Sequence, residues 1–206
     1  EYLFILKLHC GSENLYYYTR ITLPEETYAK KCLEFTDQFH DVSMSDQYET
    51  LASYLEPSEY TDKNDLGSVG IDSSIDQIGW RGFNGTQIGK PLVSFTDIND
   101  TYASLVYTYQ MEEQNDGVST YYNVEEYYKV RYTDLQIYLL DYKRTMEQIV
   151  DVAAAGVSGN KLGVGITNGD IQYLSNETGT IVSFVQAGEL FTYNQNKQTF
   201  TKVFGF

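Results

Sequence analysis

Apolar and polar residues alternate along residues 121–133. The even positions from 122 to 132 read Tyr, Val, Glu, Tyr, Val, Tyr, whereas the odd positions are mostly polar. A repeat of two places successive side chains on opposite faces of a strand, so this segment is predicted to be a half-buried strand. Residues 101–110 also favour strand, and Asp116-Gly117 between the two runs suits positive φ. Residues 101–133 are therefore predicted to form a long antiparallel hairpin, with its tyrosines in the core or in cross-strand pairs.

Helical spacing is concentrated in the first quarter of the chain. A capping box of Thr22 and Glu25, followed by apolar residues three and four apart, predicts a helix over residues 24–40. A second apolar stripe predicts a helix from about Ser45 to the residue before Pro57.

The remaining N-terminal segments give weaker patterns. Residues 1–10 resemble a strand with no turn or cap before it, and the chain starts with Glu1 rather than methionine. We therefore expect that an upstream segment, such as a signal peptide or a membrane anchor, has been removed. Seven or more glycines and prolines punctuate residues 57–100, which predicts loop with scattered strands.

Short strand-like runs separated by turn residues follow residue 134, and this punctuation predicts a meander of antiparallel strands. Two regions are thus expected: an α+β region over 1–133 and a meander over 134–206, with a single continuous domain as the alternative. The predicted runs are 137–141, 145–151, 161–166, 171–175, 180–185, 190–194 and 199–204.

Residues 137–150 and 191–204 repeat weakly at an offset of 54, with Lys143 and Lys197 in matching positions. Each segment reads as a strand, a polar turn and a second strand. This pattern resembles the outer hairpin of a blade in TolB-like β-propellers. The resemblance implies either that further blades lie outside this chain or that the meander packs as an ordinary sheet.

A second resemblance covers residues 20–150. Two early helices followed by a curved antiparallel sheet with a long hairpin are similar to the cystatin-like or nuclear-transport-factor-2-like α+β layout. The predicted fold class is therefore α+β and predominantly antiparallel β, with two N-terminal helices, a long hairpin and a meander resembling propeller blades.

The charge balance narrows the class of partner. Fourteen Lys and Arg residues face 29 Asp and Glu residues, a net charge of -15. Because phosphate backbones and anionic membranes attract the opposite charge, nucleic acid is not expected as a partner. No run approaches the roughly 18 apolar residues of a spanning helix, so direct membrane insertion of this fragment is not expected either. Along the hairpin, a solvated acidic face is predicted from Glu112, Glu113, Glu125 and Glu126.

The soft ligands of the chain do not make a metal motif. Cys10 and Cys32 could form one disulfide in an oxidising compartment or remain two buried thiols. With His9 and His40 they lack the short paired spacing of structural zinc sites. No metal and no cofactor are predicted.

The segment over residues 70–85 contains the single tryptophan, Trp80, next to Arg81 and shortly after Asp72 and Asp76. A pair of carboxylates near an exposed aromatic ring suits a glycan-cleaving or glycan-binding site. The alternative is that Trp80 is a buried anchor and Arg81 pairs with an aspartate.

The sequence contains no phosphate loop, dinucleotide signature or nucleophile elbow, which favours binding over catalysis. We predict an extracytoplasmic, cell-surface or secreted, binding domain of a bacterial surface or membrane-anchored protein, with flanking domains in the same chain and a protein or glycan ligand. The predicted ligand-binding residues are Trp80, Arg81, Tyr121 and Tyr127. The alternatives are a carbohydrate-active hydrolase using Asp72 or Asp76, and a purely structural domain.

Overall fold

Antiparallel sheets dominate the computed structural model, which describes residues 2–21, 28–59, 65–152, 157–158, 161–167, 169 and 171–205. Few helices accompany them, and the predicted α+β class with mainly antiparallel β structure is confirmed. In chain order the elements are β1 (Tyr2–Cys10), β2 (Glu13–Ile21), α1 (Tyr28–Ser43), a 3-10 helix (Tyr48–Tyr54), β3 (Ser68–Gly70), α2 (Ile75–Ile78), β4 (Gly85–Ile98), β5 (Ala103–Asn115), β6 (Val118–Tyr132), β7 (Ile137–Gln148), β8 (Val157–Ser158), β9 (Lys161–Leu162), β10 (Tyr173–Ser175), β11 (Ile181–Gln186), β12 (Glu189–Asn194) and β13 (Thr199–Gly205).

A central sheet of five strands, in the order β3-β7-β6-β5-β4, contains the predicted hairpin as β5 and β6. Asp116 and Gly117 have φ values of 51° and 80° in its turn, the positive values that a two-residue hairpin loop requires. The predicted alternation is also confirmed, because the even positions from 122 to 130 are buried and the odd positions are not. We call the second surface, which carries Tyr121 and Tyr127, the open face.

Helix α1 covers the buried face of the central sheet. The ring of Phe39 lies 5.7 Å from the ring of Tyr128 and 5.2 Å from that of Tyr142. Two apolar clusters result, one beneath α1 and one around Trp80. The first contains Cys32, Phe35, Phe39, Leu51, Val69, Ile78, Ala103, Leu105, Tyr107, Tyr128, Val130, Leu139 and Tyr142; the second contains Trp80, Tyr109, Met111, Tyr122, Val124 and Met146.

The helices differ in detail from the prediction. Helix α1 continues to Ser43, whereas the predicted cap of Thr22 and Glu25 lies outside the described residues. The second predicted helix is a 3-10 helix over Tyr48–Tyr54 that buries Leu51. Its stripe at 48, 51 and 54 repeats every three residues, which suits the three residues per turn of this helix type.

Strand β4 corrects the prediction of loop with only scattered strands over residues 57–100, since it is a 14-residue edge strand. Its pairing with β5 shifts register between Ile88 and Leu92. Gly89, with a φ of 70°, and Pro91 lie in this interruption. An edge strand tolerates a glycine and a proline at a bulge, so these residues interrupt the strand without ending it.

Strand β7 corrects a second prediction. Residues 137–141 and 145–151 were expected to be two strands around a turn at 141–144, yet Ile137–Gln148 is one strand paired with β3 and β6. A bulge near Leu140 lets Asp141 and Lys143 face outward while Tyr142 and Arg144 are buried. This strand therefore belongs to the central sheet.

The weak repeat at an offset of 54 is consequently not structural, because 137–150 contains no hairpin whereas 191–204 contains the hairpin of β12 and β13. The predicted runs 171–175, 180–185, 190–194 and 199–204 do form a four-stranded antiparallel meander, β10-β11-β12-β13. The predicted run 161–166 does not join it, because the two-residue strand β9 there pairs with β8. In the part of the chain that the structure describes, this is one blade-sized sheet and not a closed propeller.

Strands β1 and β2 form a two-stranded β1–β2 ribbon with a continuous register from Tyr2 opposite Ile21 to Cys10 opposite Glu13. Within the described ranges the ribbon pairs with no other strand. Its residues are exposed on both faces. A sheet of only two strands is marginally stable in water. The exposure of so many apolar side chains on it is therefore energetically unfavourable.

Candidate functional site

The open face of the central sheet is lined mainly by polar side chains. Along β6 it presents Tyr121, Asn123, Glu125 and Tyr127, which alternate with the buried residues of the same strand. Helix α1 covers the opposite face, so the open face is the broad surface of this sheet that a ligand can reach. Two hollows lie on it.

The first, the Tyr127 hollow, has a volume of about 590 Å³. Lys143 of β7 is directly opposite Tyr127 of β6, and Gly70 of β3 is directly opposite Lys143. Asp72 and Asp141 also line it. A Cβ atom on Gly70 would lie 2.8 Å from Oδ1 of Asp72, so a glycine there leaves room for that carboxylate. The hollow thus combines one aromatic ring with carboxylate and ammonium groups.

The half-buried ring of Tyr127 is held in place by strand pairing and by a hydrogen bond. Its hydroxyl oxygen lies 3.2 Å from Oγ of Ser104 on β5. Val106 is its cross-strand neighbour on the same side. A ring fixed in this way loses little conformational freedom when a ligand stacks on it.

The second, the Glu125 hollow, has a volume of about 460 Å³ and is lined by hydroxyl, amide and carboxylate side chains. Gln110 Nε2 donates to Asn123 Oδ1 at 3.0 Å on its floor. The turn between β11 and β12 forms one wall, where the backbone N–H of Ala187 donates to Glu147 Oε2 at 2.8 Å. The lining residues include Thr108, Gln110, Asn123, Glu125, Thr145 and Glu147.

The structure brings only some of the predicted site residues together. Asp72 and Tyr127 line the same hollow, and Tyr121 is exposed farther along the same face of β6. Asp76 and Arg81 lie in and after α2, where Arg81 Nη1 donates to Asp76 Oδ2 at 2.7 Å in an exposed ion pair. Arg81 is therefore engaged near α2 and is not part of the Tyr127 hollow.

Trp80 is 6% exposed and belongs to the second apolar cluster. The guanidinium carbon of Arg144 lies 3.5 Å from the centre of its ring, which is a cation–π contact inside the protein. The indole is therefore not an exposed stacking surface, and the hydrolase alternative that needed such a surface loses its platform. The predicted alternative of a buried anchor, with Arg81 paired to an aspartate, is what the structure contains.

Glu126 corrects the predicted acidic face, since its side chain is fully buried while Glu125 is exposed. Each oxygen of its carboxylate accepts two hydrogen bonds. Oε2 accepts from His40 Nδ1 at 2.7 Å and from the Tyr128 hydroxyl at 2.8 Å. Oε1 accepts from the Tyr109 hydroxyl at 3.0 Å and from that of Tyr142 at 3.3 Å.

His40 carries a positive charge in this cluster. Its second nitrogen, Nε2, lies 2.9 Å from Gln87 Oε1, and the amide of Gln87 is oriented by a bond from its Nε2 to the carbonyl of Gly89. Both ring nitrogens thus face oxygen acceptors, so both carry protons. Burial alone lowers the pKa of His40, but the bond to Glu126 and its charge outweigh burial, and the pKa is raised.

The pKa of Glu126 moves in the complementary direction. Burial raises it, yet the hydrogen bond and charge of His40, the charge of Arg144 and the hydroxyl of Tyr128 together lower it below its ordinary value. Burial and the nearby Glu126 charge raise the pKa of the tyrosine hydroxyls Tyr109 and Tyr128 well above 10. The cluster is therefore an ion pair within a shell of neutral phenols.

Arg144 links this cluster to α2. Its Nη1 and Nη2 atoms donate to the carbonyls of Ile78 at 3.0 Å and Gln77 at 2.6 Å. These bonds satisfy carbonyls at the end of α2, whose start is capped by Ser74 and Gln77. The buried cluster thus fixes α1 and α2 on the sheet, and it has no exposed surface on which to meet a ligand.

The thiols and carboxylates do not assemble into a metal site in the described residues, where no group of three His, Cys, Asp or Glu side chains could hold an ion. Cys10 and Cys32 are both free, so the predicted alternative of one disulfide is wrong. The alternative of two buried thiols is correct for Cys32 and wrong for Cys10, which is exposed. Burial raises the pKa of the Cys32 thiol.

None of the helices that the structure describes combines the length and hydropathy needed to cross a membrane.

No family model matches the sequence, and comparisons with curated proteins and with solved structures gave no significant match.

Proposed function

We propose that this chain is a non-enzymatic, extracytoplasmic binding domain of a bacterial surface or membrane-anchored protein, and that its open face binds a glycan. The observation that carries the proposal is the composition of the Tyr127 hollow. A half-exposed ring there lies beside Asp72, Asp141 and Lys143. Sugars offer C–H faces that stack on aromatic rings and hydroxyls that bond to charged side chains.

A glycan suits this face better than a protein does. Protein interfaces are centred on large apolar or aromatic side chains, whereas the two hollows are lined chiefly by hydroxyl, amide and charged groups. The carboxylates of Asp72, Glu125 and Asp141 repel anionic polymers. We therefore infer a neutral glycan or one with amino groups, encountered at the cell surface.

Binding without catalysis is supported by the location of the acid and base groups. His40 and Glu126 have the composition of an acid–base pair, but both are buried on the side of the sheet opposite the hollows. Asp76, one of the carboxylates of the hydrolase alternative, is paired with Arg81. A general acid or base must come within hydrogen-bond reach of the substrate, and His40 and Glu126 are closed off in the core. Asp72 and Asp141 do line the Tyr127 hollow, and we assign them to bonding with sugar hydroxyls.

A glycan array probed with the purified chain tests the proposal, followed by calorimetry with the sugar that the array selects. We expect Tyr127→Ala to weaken binding about tenfold, which corresponds to ~1.4 kcal/mol, because the stacking ring is lost. Tyr127→Phe keeps the ring and should stay within about threefold of the wild type.

Tyr173→Ala is the matched control, since Tyr173 is an exposed tyrosine on β10 that lines neither hollow. Wild-type affinity is expected for it. A folded chain that selects no sugar on the array would overturn the glycan proposal. If a pull-down from the outer cell surface then also recovered no protein, the broader proposal of a binding domain would fall with it.

The proposed location has its own test. Intact cells labelled with an antibody against this domain should be stained, and protease added outside the cells should remove the staining. Staining that requires permeabilised cells would contradict an extracytoplasmic location.

A further inference from the structure

The β1–β2 ribbon has two chemically different faces. The even-numbered residues of β1 and their partners in β2 present Tyr2, Phe4, Leu6 and Leu8 beside Leu15, Tyr17 and Ile21. We call this the even face. The other side, the odd face, combines Lys7, His9 and Asn14 with the large side chains of Leu3, Ile5, Tyr16 and Tyr18, which are 49–63% exposed. Lys7 Nζ lies 5.7 Å above the ring of Tyr16. Charge is thus concentrated on the odd face, and the even face is charged only at Glu13 by the turn.

The base of the ribbon lies beside the end of β4. Leu3 and Tyr18 of the odd face and Thr19 of the even face line a hollow of about 510 Å³ there, together with Phe95 and Asp97. The seven large apolar side chains of the even face are between 41 and 66% exposed. The even face therefore has the apolar composition of an interface and nothing in the described residues that covers it.

We propose that the even face is the contact between two copies of this chain, which associate as a symmetric dimer with one ribbon packed on the other. Packed sheets lie about 10 Å apart, so side chains from two such faces interdigitate. In a twofold contact the same patch meets itself, and the charge-free centre of the even face brings no like charges together.

The area is sufficient for a stable dimer. Seven side chains of this size, about half exposed, present roughly 600–700 Å² on each copy, so mutual coverage buries roughly 1,200–1,400 Å² in total, within the range of specific interfaces. Three of the seven are aromatic, Tyr2, Phe4 and Tyr17, the residue class that dominates interface energies.

The charge distribution favours a second copy over an unrelated partner. Residues 2–21 contain two basic residues, Lys7 and Arg20, and one acidic residue, Glu13, which gives +1 against -15 for the whole chain. Two copies repel each other through most of their surface, and the ribbon is a region where they can approach without that repulsion. An unrelated partner is usually selected by complementary charge, which the centre of the even face does not offer.

Sedimentation velocity of the purified chain from about 1 to about 200 μM tests the proposal. Tyr17→Glu places a charge on the even face, and Tyr16→Glu places the same charge one residue away on the odd face. The two positions are 56 and 49% exposed, so the substitutions are matched in type and in exposure. Leu6→Glu, directly opposite Tyr17, is a second even-face variant.

We expect the wild type and Tyr16→Glu to be dimers, and Tyr17→Glu and Leu6→Glu to have dissociation constants raised at least a hundredfold, with circular dichroism unchanged. A wild type that remains monomeric over the whole range would overturn the proposal. So would dimers that survive both even-face variants, which would put the interface elsewhere, or dissociation by all three variants alike, which would remove the distinction between the faces. Because none of these residues lies in the Tyr127 hollow, the result does not depend on whether a glycan binds there.

Discussion

At the scale of single residues, Glu126 has the most demanding position in the molecule. The alternation of β6 directs its side chain into the core, where an isolated carboxylate costs several kcal/mol. Three phenol donors and the imidazolium of His40 offset that cost. The Glu126 carboxylate is therefore stable in the core. Its removal leaves the phenol hydroxyls and the charged His40 without their acceptor.

Replacement of this carboxylate by an amide tests the argument. Glu126→Gln should lower the free energy of unfolding by about 3–5 kcal/mol, because the new N–H groups oppose phenol donors and the His40 charge loses its partner. Urea denaturation measures the change. Glu125→Gln is the matched control on the exposed side of the same strand, where a change within about 0.5 kcal/mol is expected. Equal effects at both positions would contradict the buried ion pair.

The ion pair also predicts a pH dependence. The folded-state pKa of His40 is raised above 6.5, so its contribution to stability is complete below that pH and is lost as pH rises through the raised pKa. The folded-state pKa of Glu126 is lowered below 4.5, so its contribution is present above that pH and is lost as pH falls through the lowered pKa. The contribution of the pair is therefore largest between about pH 4.5 and 6.5.

Unfolding experiments on the wild type and on His40→Gln at several pH values measure this dependence. The difference between the two free energies of unfolding should be largest near pH 5.5 and should shrink as pH rises toward 8. The neighbouring phenols, whose pKa values are raised, do not titrate in this window. A difference that stays constant with pH would mean that His40 is neutral in the folded state.

The sequence contained part of this information. Glu126 occupies an even position of β6, as the buried Tyr122 and Tyr128 do, so the alternation alone could have predicted its burial. The adjacent Glu125 suggested an acidic surface instead. The same alternation correctly placed Tyr121 and Tyr127, at odd positions, on the open face. Burial of Trp80 was one of two alternatives from the sequence, but its contact with Arg144 could not be inferred, because Arg144 is distant in the sequence and joins it only in the folded sheet.

At the scale of elements, turns were easier to predict than strands interrupted by irregularities. Asp116-Gly117 specified the hairpin of β5 and β6 through its local conformation alone. Strand β4 was missed because Gly89 and Pro91 resemble a loop, and only its place at the sheet edge makes them tolerable. Strand β7 was divided in two because its outward Asp141 and Lys143 resemble turn residues.

The turn between β11 and β12 predicts a stabilising substitution. Ala187 has a φ of 50° next to Gly188 at 73°, whereas Asn is the residue that this conformation favours. Ala187→Asn should raise the free energy of unfolding by about 0.5–1 kcal/mol, because the strain of alanine is relieved and the backbone bond to Glu147 remains. Thermal or urea unfolding measures the gain.

Ala52 provides the comparison, since it is exposed in the 3-10 helix and has no positive φ. Ala52→Asn should give no gain and a small loss, because alanine has the higher helical propensity. A similar gain at both positions would indicate a general effect of asparagine and not relief of strain.

At the scale of the whole molecule, the surfaces divide by chemistry. The open face is polar and acidic, whereas the even face of the ribbon is apolar and almost uncharged. If both proposals hold, a dimer presents two Tyr127 hollows on one particle. A ligand with repeated units could then engage both, which increases the apparent affinity without any new contact in either hollow.

The single buried indole has a practical consequence. Because Trp80 is the one tryptophan of the chain and lies in the second apolar cluster, the emission of this chromophore reports on that cluster and not on the one beneath α1. A red shift of its fluorescence marks entry of water around Arg144 and Met146, while loss of ellipticity follows the sheets as a whole. Discordance between these two signals during denaturation would reveal that the clusters melt in separate steps.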